Sequence, residues 1–525
     1  MSKGILFTNT SFCARTLQQA NALLVEEGRI GFVGKLEQAR EIATGTYEEV
    51  DLACKTILPG LCDFHLHFGY TAEKLDAVDC ETDTLDECLR RVAIKAKNTP
   101  AGEWIIGYGW NHNVWQPAEY GSAKLLDQVT TAHPILLHAK SLHASWVNTM
   151  AMRKAGISHL TPDPGSGVIL RDENGSPTGI LLENATALIS SCIPQPNTEQ
   201  TAQKLLRAQS HFHSLGLTAV HDFDRFDTAE ALLLLAERDE LKLRVSKNLP
   251  SEEIDKVVEG NWRERLSHPP FLKPGWLKIF ADGALGPQSA ALLAPYEGTQ
   301  NQGMLLLSSA ELLELGKKAG AAGWPLSVHA IGDRAVREVL DSFALLRQHE
   351  RDHGYPRLPH RLEHIQLIEP TDLLLMKEQD IIASVQPIHA TSDMFTAQHY
   401  WGGRCEHAYA YQSMFAHQID VRFGSDAPVE TADPFKGLHA AVTRRRADGQ
   451  PGPQGWYPEQ RVSFDQALKA YTQPLPGNGE VDLLQAGMPA DMIVLEQDPS
   501  TLNPDELADL KPLVTVVAGE IVYSR

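Results

Sequence analysis

Short apolar runs recur along the chain, and their spacing decides what they become. Between Leu217 and Asp426 they alternate with segments long enough for helices. The runs are Leu217-Thr218-Ala219-Val220-His221-Asp222, Leu243-Arg244-Val245-Ser246, Trp276 to Gly283, Leu326-Ser327-Val328-His329, Arg361-Leu362-Glu363-His364, Ile381 to Gln386 and Val421 to Asp426. The stretch Ala310 to Gly320 reads as a helix leading into the Leu326 run. Strands alternating with helices predict a parallel α/β sheet. One further run, Leu58-Pro59-Gly60-Leu61-Cys62-Asp63-Phe64-His65-Leu66-His67, reads as a buried strand and brings the count to the eight that a (β/α)8 TIM barrel needs.

The two ends of the chain have a different rhythm. Gly4-Ile5-Leu6-Phe7, Ala22-Leu23-Leu24-Val25 and Arg29-Ile30-Gly31-Phe32-Val33 read as short strands, with Glu26-Glu27-Gly28 as a hairpin turn. Asp491 to Leu495 and Thr515 to Tyr523 repeat the pattern of strand, turn and strand. A β-unit as small as either end can hardly stand alone. The expected organisation is therefore a barrel over 58–475, with 1–57 and 476–525 forming one small β-sandwich. After His67 comes an excursion, about 68–195, rich in Trp, Gly and Asn around Trp104 to Asn111. It is expected to be an insertion over the barrel mouth and not a separate domain.

The strand ends carry the chemistry. Residues two apart on a strand point to the same side, so His65 and His67 can aim at one point while Phe64 and Leu66 face away. Imidazole nitrogen suits zinc and similar divalent ions. Lys278, His329, His364 and Asp426 stand at the ends of the fourth, fifth, sixth and eighth runs. Taken singly, a strand-end histidine is more often a satisfied core or surface group, an aspartate after Gly-Ser is usually a turn or a helix cap, and Lys278 could be a surface lysine. Taken together, at the C-terminal ends of eight ordered strands, the six residues point to a metal centre on the rim where barrel chemistry sits.

Charge narrows the partners. The 525 residues carry 47 basic and 67 acidic side chains, a net −20, which argues against nucleic acid or an anionic membrane as a partner. A small-molecule substrate is expected, and a homodimer is compatible with the sequence. The seven cysteines are scattered with no C-x-x-C, as expected of buried thiols in a reducing, cytoplasmic compartment. The first residues lack a basic region followed by an apolar run, so no signal peptide is expected. No stretch approaches the ~18 apolar residues of a membrane span.

The ordered set Leu58 to His67, Gly107-Tyr108-Gly109-Trp110, His143-Ala144-Ser145-Trp146-Val147-Asn148, Lys278 to Gly283, His329-Ala330-Ile331-Gly332-Asp333, Glu363-His364 and Ser425-Asp426-Ala427-Pro428 resembles the amidohydrolase superfamily of metal-dependent hydrolases. More narrowly it is similar to the amidohydrolase family 3 branch that includes N-substituted formamide deformylase-like proteins. The resemblance implies hydrolysis of a carbon–nitrogen bond. It also implies one or two divalent metals, zinc being the expected ion. His65, His67 and Asp426 would hold one metal and His329 and His364 the other, with a CO2-derived carbamate on Lys278 between them. Asp282 is the rival of Lys278 as a ligand. Asp426 would carry the proton in catalysis, and His364 is the second catalytic candidate. Glu363 and Asp333 are candidates for orienting the histidines, with surface or capping roles equally open to them. Trp110, Asn111, His143, Trp146, His389 and Asp393 are the candidate substrate contacts, with packing the alternative for each tryptophan. Two rival readings stand beside this one. A one-metal deaminase on the same barrel would not need Lys278, and a non-catalytic scaffold would be expected to have lost ligands.

Overall fold

A computed structural model of the chain describes residues 4–43, 45–141, 143–472 and 483–525. They form two compact units, residues 1–71 with 198–525 and residues 72–197.

The larger unit holds eight parallel strands in chain order: Leu61–Leu66, Leu217–Asp222, Arg244–Pro250, Leu272–Phe280, Leu326–Ala330, Arg361–His364, Ile382–Val385 and Val421–Phe423. Every predicted run supplies one of them, the Leu58–His67 run only from Leu61 on. The eighth strand closes on the first only near its end: Asp426 N donates to His65 O (2.6 Å), His67 N donates to Ala427 O (2.7 Å), and Leu66 bridges Ala427 in parallel. This nearly closed barrel depends on Gly424, because a Cβ there would sit 2.5 Å from His65 N. One buried carboxylate ties the seam. Asp63 Oδ1 accepts from both His65 N and Ser425 N at 3.0 Å.

Helices return the chain between strands, and their ends follow from sequence. Ser308 begins the helix Ser309–Ala321 with a capping box, its hydroxyl taking the Glu311 amide while the Glu311 carboxylate takes the Ser308 amide. Leu312, Gly316 and Ala319, at helical spacing, are its buried positions. The long helix Asp333–His353 stops at Gly354, whose φ of +67° suits a residue without a Cβ.

The Leu58–His67 run is not one strand. Thr56–Pro59 pairs antiparallel with Met492–Leu495, and the barrel strand starts only after Gly60. The break falls at Pro59-Gly60, where Gly60 lies so close to Thr218 that a Cβ would meet its side chain at 2.3 Å. Thr56–Pro59 thus belongs to a five-stranded sheet ordered Ser11–Phe12, Thr56–Pro59, Met492–Leu495, Val514–Val517, Glu520–Ser524, with strands from both ends of the chain. A four-stranded sheet ordered Arg29–Gly34, Ala22–Glu26, Gly4–Thr8, Tyr47–Asp51 contains the expected hairpin. Phe7, Leu23, Val25 and Ile30 of this sheet share one apolar cluster with Phe12, Ile57, Met492, Val494 and Val516 of the other. The expected boundary at 475/476 lies outside the described residues.

Residues 72–197 build their own six-stranded sheet: Gly167–Arg171, Pro177–Glu183, Ala144–Val147, Ile135–Ala139, Ile105–Trp110 and Val78–Asp79. Two apolar clusters lie wholly within these residues, one around Trp110, Trp115 and Trp146 and one around Leu136, Val147 and Leu181. The excursion is an insertion in chain order, and residues 72–197 cluster as a compact unit. Among the described residues no helix is long and apolar enough to cross a membrane.

Asp63→Ala leaves two buried seam amides without an acceptor, each costing about 1–3 kcal/mol. Urea unfolding of Asp63→Ala should show a loss of about 2–6 kcal/mol. Asp63→Asn, which keeps the accepting oxygen, should lose much less.

Candidate metal centre

Four histidines converge on the C-terminal rim of the barrel, and each is fixed through one ring nitrogen. His65 Nδ1 donates to Glu363 Oε2 (2.6 Å), His67 Nδ1 to Asp224 Oδ1 (3.0 Å), His329 Nε2 to the Gly283 carbonyl (2.9 Å), and His364 Nδ1 to Gln386 Oε1 (2.9 Å). Each partner atom is an oxygen that accepts, so the tied nitrogen carries the proton and the other presents a lone pair. This is the arrangement that orients histidines toward a metal. The rings lie together: 4.5 Å between the centroids of His329 and His364, 4.8 Å between His65 and His364, and 5.9 Å between His65 and His67. Asp426 Oδ1 is 3.4 Å from Nε2 of both His65 and His67.

Two donor groups share Asp426. His65, His67 and Asp426 have ligand atoms within 4.8 Å of one another, and so do His364, His389 and Asp426. The first group is the predicted one. The second brings in His389, assigned from sequence to the substrate. Imidazole and carboxylate donors suit zinc or a similar divalent ion.

Three of the four protonation states agree with this use. Burial pushes His65 down to about 4, against the pull of Glu363. Burial, aided by Lys278, takes His329 to about 3, and burial with His329 and His65 nearby takes His364 well below its ordinary value. These are neutral imidazoles, the form that ligates. Burial also acts on His67, but its hydrogen bonds with Asp224 and Asp426 outweigh it and raise the ring to about 9. Burial opposes ionisation of Asp426 as well, yet His65, His67 and His389 hold it well below the carboxylate range. The backbone is strained where it delivers ligands. His364 has φ +74° and Asp426 φ +58°, left-handed conformations that cost about 1–3 kcal/mol each and cluster at functional sites.

Lys278 is 5 % exposed, its Nζ lying 4.9 Å from the Phe223 ring centroid and 4.8 Å from that of Phe280. Among the described residues no carboxylate lies within ion-pair distance of it. Burial lowers it to about 8, with Glu363 and Asp426 opposing. Its rival is otherwise engaged: Asp282 Oδ1 accepts from Ile331 N (3.0 Å) and Oδ2 from Gly332 N and Ala291 N (2.9 Å each). Asp282 fixes loops, and burial raises it to about 7.

Behind the histidines lies a buried ion pair. Glu363 accepts from His65 and from the hydroxyl of Ser327. Arg361 bonds the same carboxylate through Nη2 at 3.1 Å and reaches the Phe64 carbonyl and Ser384 Oγ at 2.6 Å. Its Nη1 donates to His221 Nδ1 at 2.9 Å. Glu363 therefore does orient a histidine, as one sequence reading had it. Asp333 instead takes the backbone amides of Leu293 and Arg334, a loop and helix-start role.

Three parts of the centre were not read from sequence: Asp224, Gln386 and the Gly283 carbonyl. Asp224 had a visible signal, since Asp222-Phe223-Asp224 ends the second strand run. Phe223 stacks on His65 at 3.9 Å, and Lys247 neutralises Asp222 at 2.6 Å while also donating to the Asp224 carbonyl. Gln386 was seen only as the end of a strand. Among the substrate candidates, His389 Nε2 lies 3.9 Å from Asp426 Oδ2, and Asp393 accepts from the Tyr409 hydroxyl (2.8 Å). The other four belong to the second unit. Trp110 and Trp146 are buried in its core, their indoles donating to the Leu137 and Ser122 carbonyls at 2.8 and 3.0 Å. Both are packed there, the alternative that the sequence left open for each tryptophan. Asn111 accepts from Asn113 N (3.1 Å), and exposed His143 bonds Glu183 (2.9 Å).

Residues 48–523 match the model of the amidohydrolase family. The chain belongs to this family. It is 31 % identical to putative amidohydrolase YtcJ of Bacillus subtilis over 97 % of this chain and 96 % of the relative. N-substituted formamide deformylase of Arthrobacter pascens is 29 % identical, with 96 % and 95 % covered. Protein LONG AFTER FAR-RED 3 of Arabidopsis thaliana is 27 % identical, with 100 % and 91 % covered. Among solved structures, an uncharacterized metal-dependent hydrolase from Pyrococcus horikoshii shares the fold at TM-score 0.75 and 24 % identity, over 96 % of this chain and 99 % of that one.

Glu363→Gln weakens the acceptor that fixes His65 and leaves Arg361 without its counter-charge. Zinc affinity, measured by chelator competition, should fall about 10–100-fold, the usual effect of losing a partner behind a ligand.

Proposed function

We propose that this amidohydrolase is a zinc-dependent hydrolase of carbon–nitrogen bonds in small N-acyl or N-formyl amides. One observation carries the reading: His65, His67 and His364, each held through one nitrogen, have donor atoms gathered around Asp426. The likeness to N-substituted formamide deformylase of Arthrobacter pascens supports an N-formyl amide among the substrates.

His65, His67 and Asp426 would hold one ion, and His329 and His364 a second, with Lys278 between. When bound, such ions supply Lewis acidity and a water made acidic enough to react near neutral pH. The protein groups have separate tasks. Asp426 turns Oδ1 toward His65 and His67, so Oδ2, 3.9 Å from His389 Nε2, is the oxygen that would take a proton from the attacking water and return it to the leaving nitrogen. Phe223, stacked on His65, keeps water from the inner side of the ring. Lys278 is buried without a paired carboxylate, and burial favours its neutral amine, the form that adds CO2 to give a carbamate. Its buried position on the rim also weighs against the one-metal deaminase, and the complete ligand set weighs against a scaffold. The two terminal sheets, with their shared apolar cluster, would form one β-sandwich domain.

Purified protein should carry up to two zinc ions per chain. Stripping them should abolish hydrolysis across a panel of N-formyl amines, N-acyl amino acids, cyclic amides and esters, and adding zinc back should restore it. Full activity in the metal-stripped protein would refute the reading.

Lys278→Ala should lose one zinc equivalent and most activity, with partial recovery in short carboxylic acids. Native protein equilibrated with 13C-bicarbonate should show a carbamate carbon resonance that is missing in the variant.

A further inference from the structure

We propose that Lys247, on the third barrel strand, is a positioning residue for both histidines of the first strand, neither of which it touches. This role rests on the reading of the rim as a metal centre and names what assembles its first donor group.

Lys247 is fully buried in the strand Arg244–Pro250 and stands opposite Asp222 in the parallel ladder. Its ammonium donates to Asp222 Oδ2 at 2.6 Å and to the Asp224 carbonyl. One group thus holds Asp222-Phe223-Asp224 on both sides of Phe223. Each of the three residues then grips the first strand or the turn that follows it. Asp222 Oδ1 accepts from Phe68 N at 2.8 Å and from Asp224 N at 3.2 Å. The Phe223 ring lies flat against His65, 3.9 Å between centroids and 7° between planes, and Phe223 N donates to the Leu66 carbonyl at 2.9 Å. Asp224 Oδ1 accepts from His67 Nδ1 at 3.0 Å, while Oδ2 accepts from Gly69 N and, at 3.3 Å, from Tyr70 N. The approach of Asp224 needs a glycine there, since a Cβ on Gly69 would sit 2.9 Å from Oδ2.

A lysine is a costly way to fill this place. A buried ion pair is often no more stable than apolar side chains of the same volume, because both charges lose their water. What the ammonium adds is direction. A charged donor on the Asp224 carbonyl fixes the main chain there, so the carboxylate meets His67 from one position. The phenyl ring between the two anchors is fixed with it. A carboxylate behind a metal-binding histidine sets that ring's tautomer and orientation. Here the carboxylate is itself set from the third strand.

Lys247→Met removes both bonds but also leaves Asp222 without its counter-charge. Lys247→Met combined with Asp222→Asn removes that charge and keeps an oxygen for the amides of Phe68 and Asp224. The single variant should lose stability in urea, and the double variant should recover part of the loss. In both, chelator competition should show affinity for one zinc equivalent lowered about 10–100-fold, as for a lost partner behind a ligand. In metal-free wild-type protein labelled with 15N-histidine, the Nδ1–H of His67 should give a downfield proton signal protected from exchange with water, assigned by its loss in His67→Asn. That signal should broaden or vanish in the double variant. Wild-type zinc affinity in the double variant, or an unchanged His67 signal, would overturn the proposal and leave Lys247 as a counter-charge alone. If wild-type protein binds no zinc, the metal reading fails, while the His67 signal still decides the role of Lys247.

Discussion

The buried pair of Arg361 and Glu363 is the contact on which the rest of the barrel depends. Both side chains are almost fully buried, 1 % and 0 % exposed. Their hydrogen bonds reach the first, second, fifth and seventh strands through Phe64 and His65, His221, Ser327 and Ser384. Removing one partner of such a pair typically costs about 3–5 kcal/mol, because the other charge is left uncompensated in a medium that solvates it poorly. Here the pair also has a directional task, since the oxygen that accepts from Arg361 Nη2 also holds His65. Strand registry and ligand geometry are therefore set by the same group of atoms.

The seam between the first and eighth strands repeats this economy. The bond from Asp426 N to the His65 carbonyl closes the barrel and also sets the only carboxylate of the proposed ligand set beside the two histidines of the first strand. Asp63 holds that seam from within, and Gly424 lets the two strands approach. A change at the seam would be felt first in the alignment of His65, His67 and Asp426, before the barrel itself gives way.

The barrel was legible because parallel strands covered on both faces read as apolar runs whatever their neighbours, and all eight runs appear as strands. The candidate ligands were legible because histidines at strand ends keep their spacing however the loops run. What could not be read was pairing. Nothing local in Leu58 to His67 says that residues before Gly60 join another sheet, because that depends on Met492–Leu495, far along the chain. Asp224 and Gln386 were missed for the same reason: each touches a histidine from a different strand. Trp110 and Trp146 were left open because an indole in a core and an indole in a pocket look alike in sequence, and only their bonds to Leu137 and Ser122 tell them apart.

The ladder between Thr56–Pro59 and Met492–Leu495 has a consequence during synthesis. A ribosome adding about 5–20 residues per second needs roughly 20–90 s to travel from the first of these strands to the second. Throughout that interval the early strand has left the exit tunnel with one edge unmatched, and an unmatched edge is a template for pairing with other chains. Efficient production of this protein should therefore depend on how crowded its polysomes are, and on whether a holdase shelters the early strands, far more than the stability of the finished barrel would suggest.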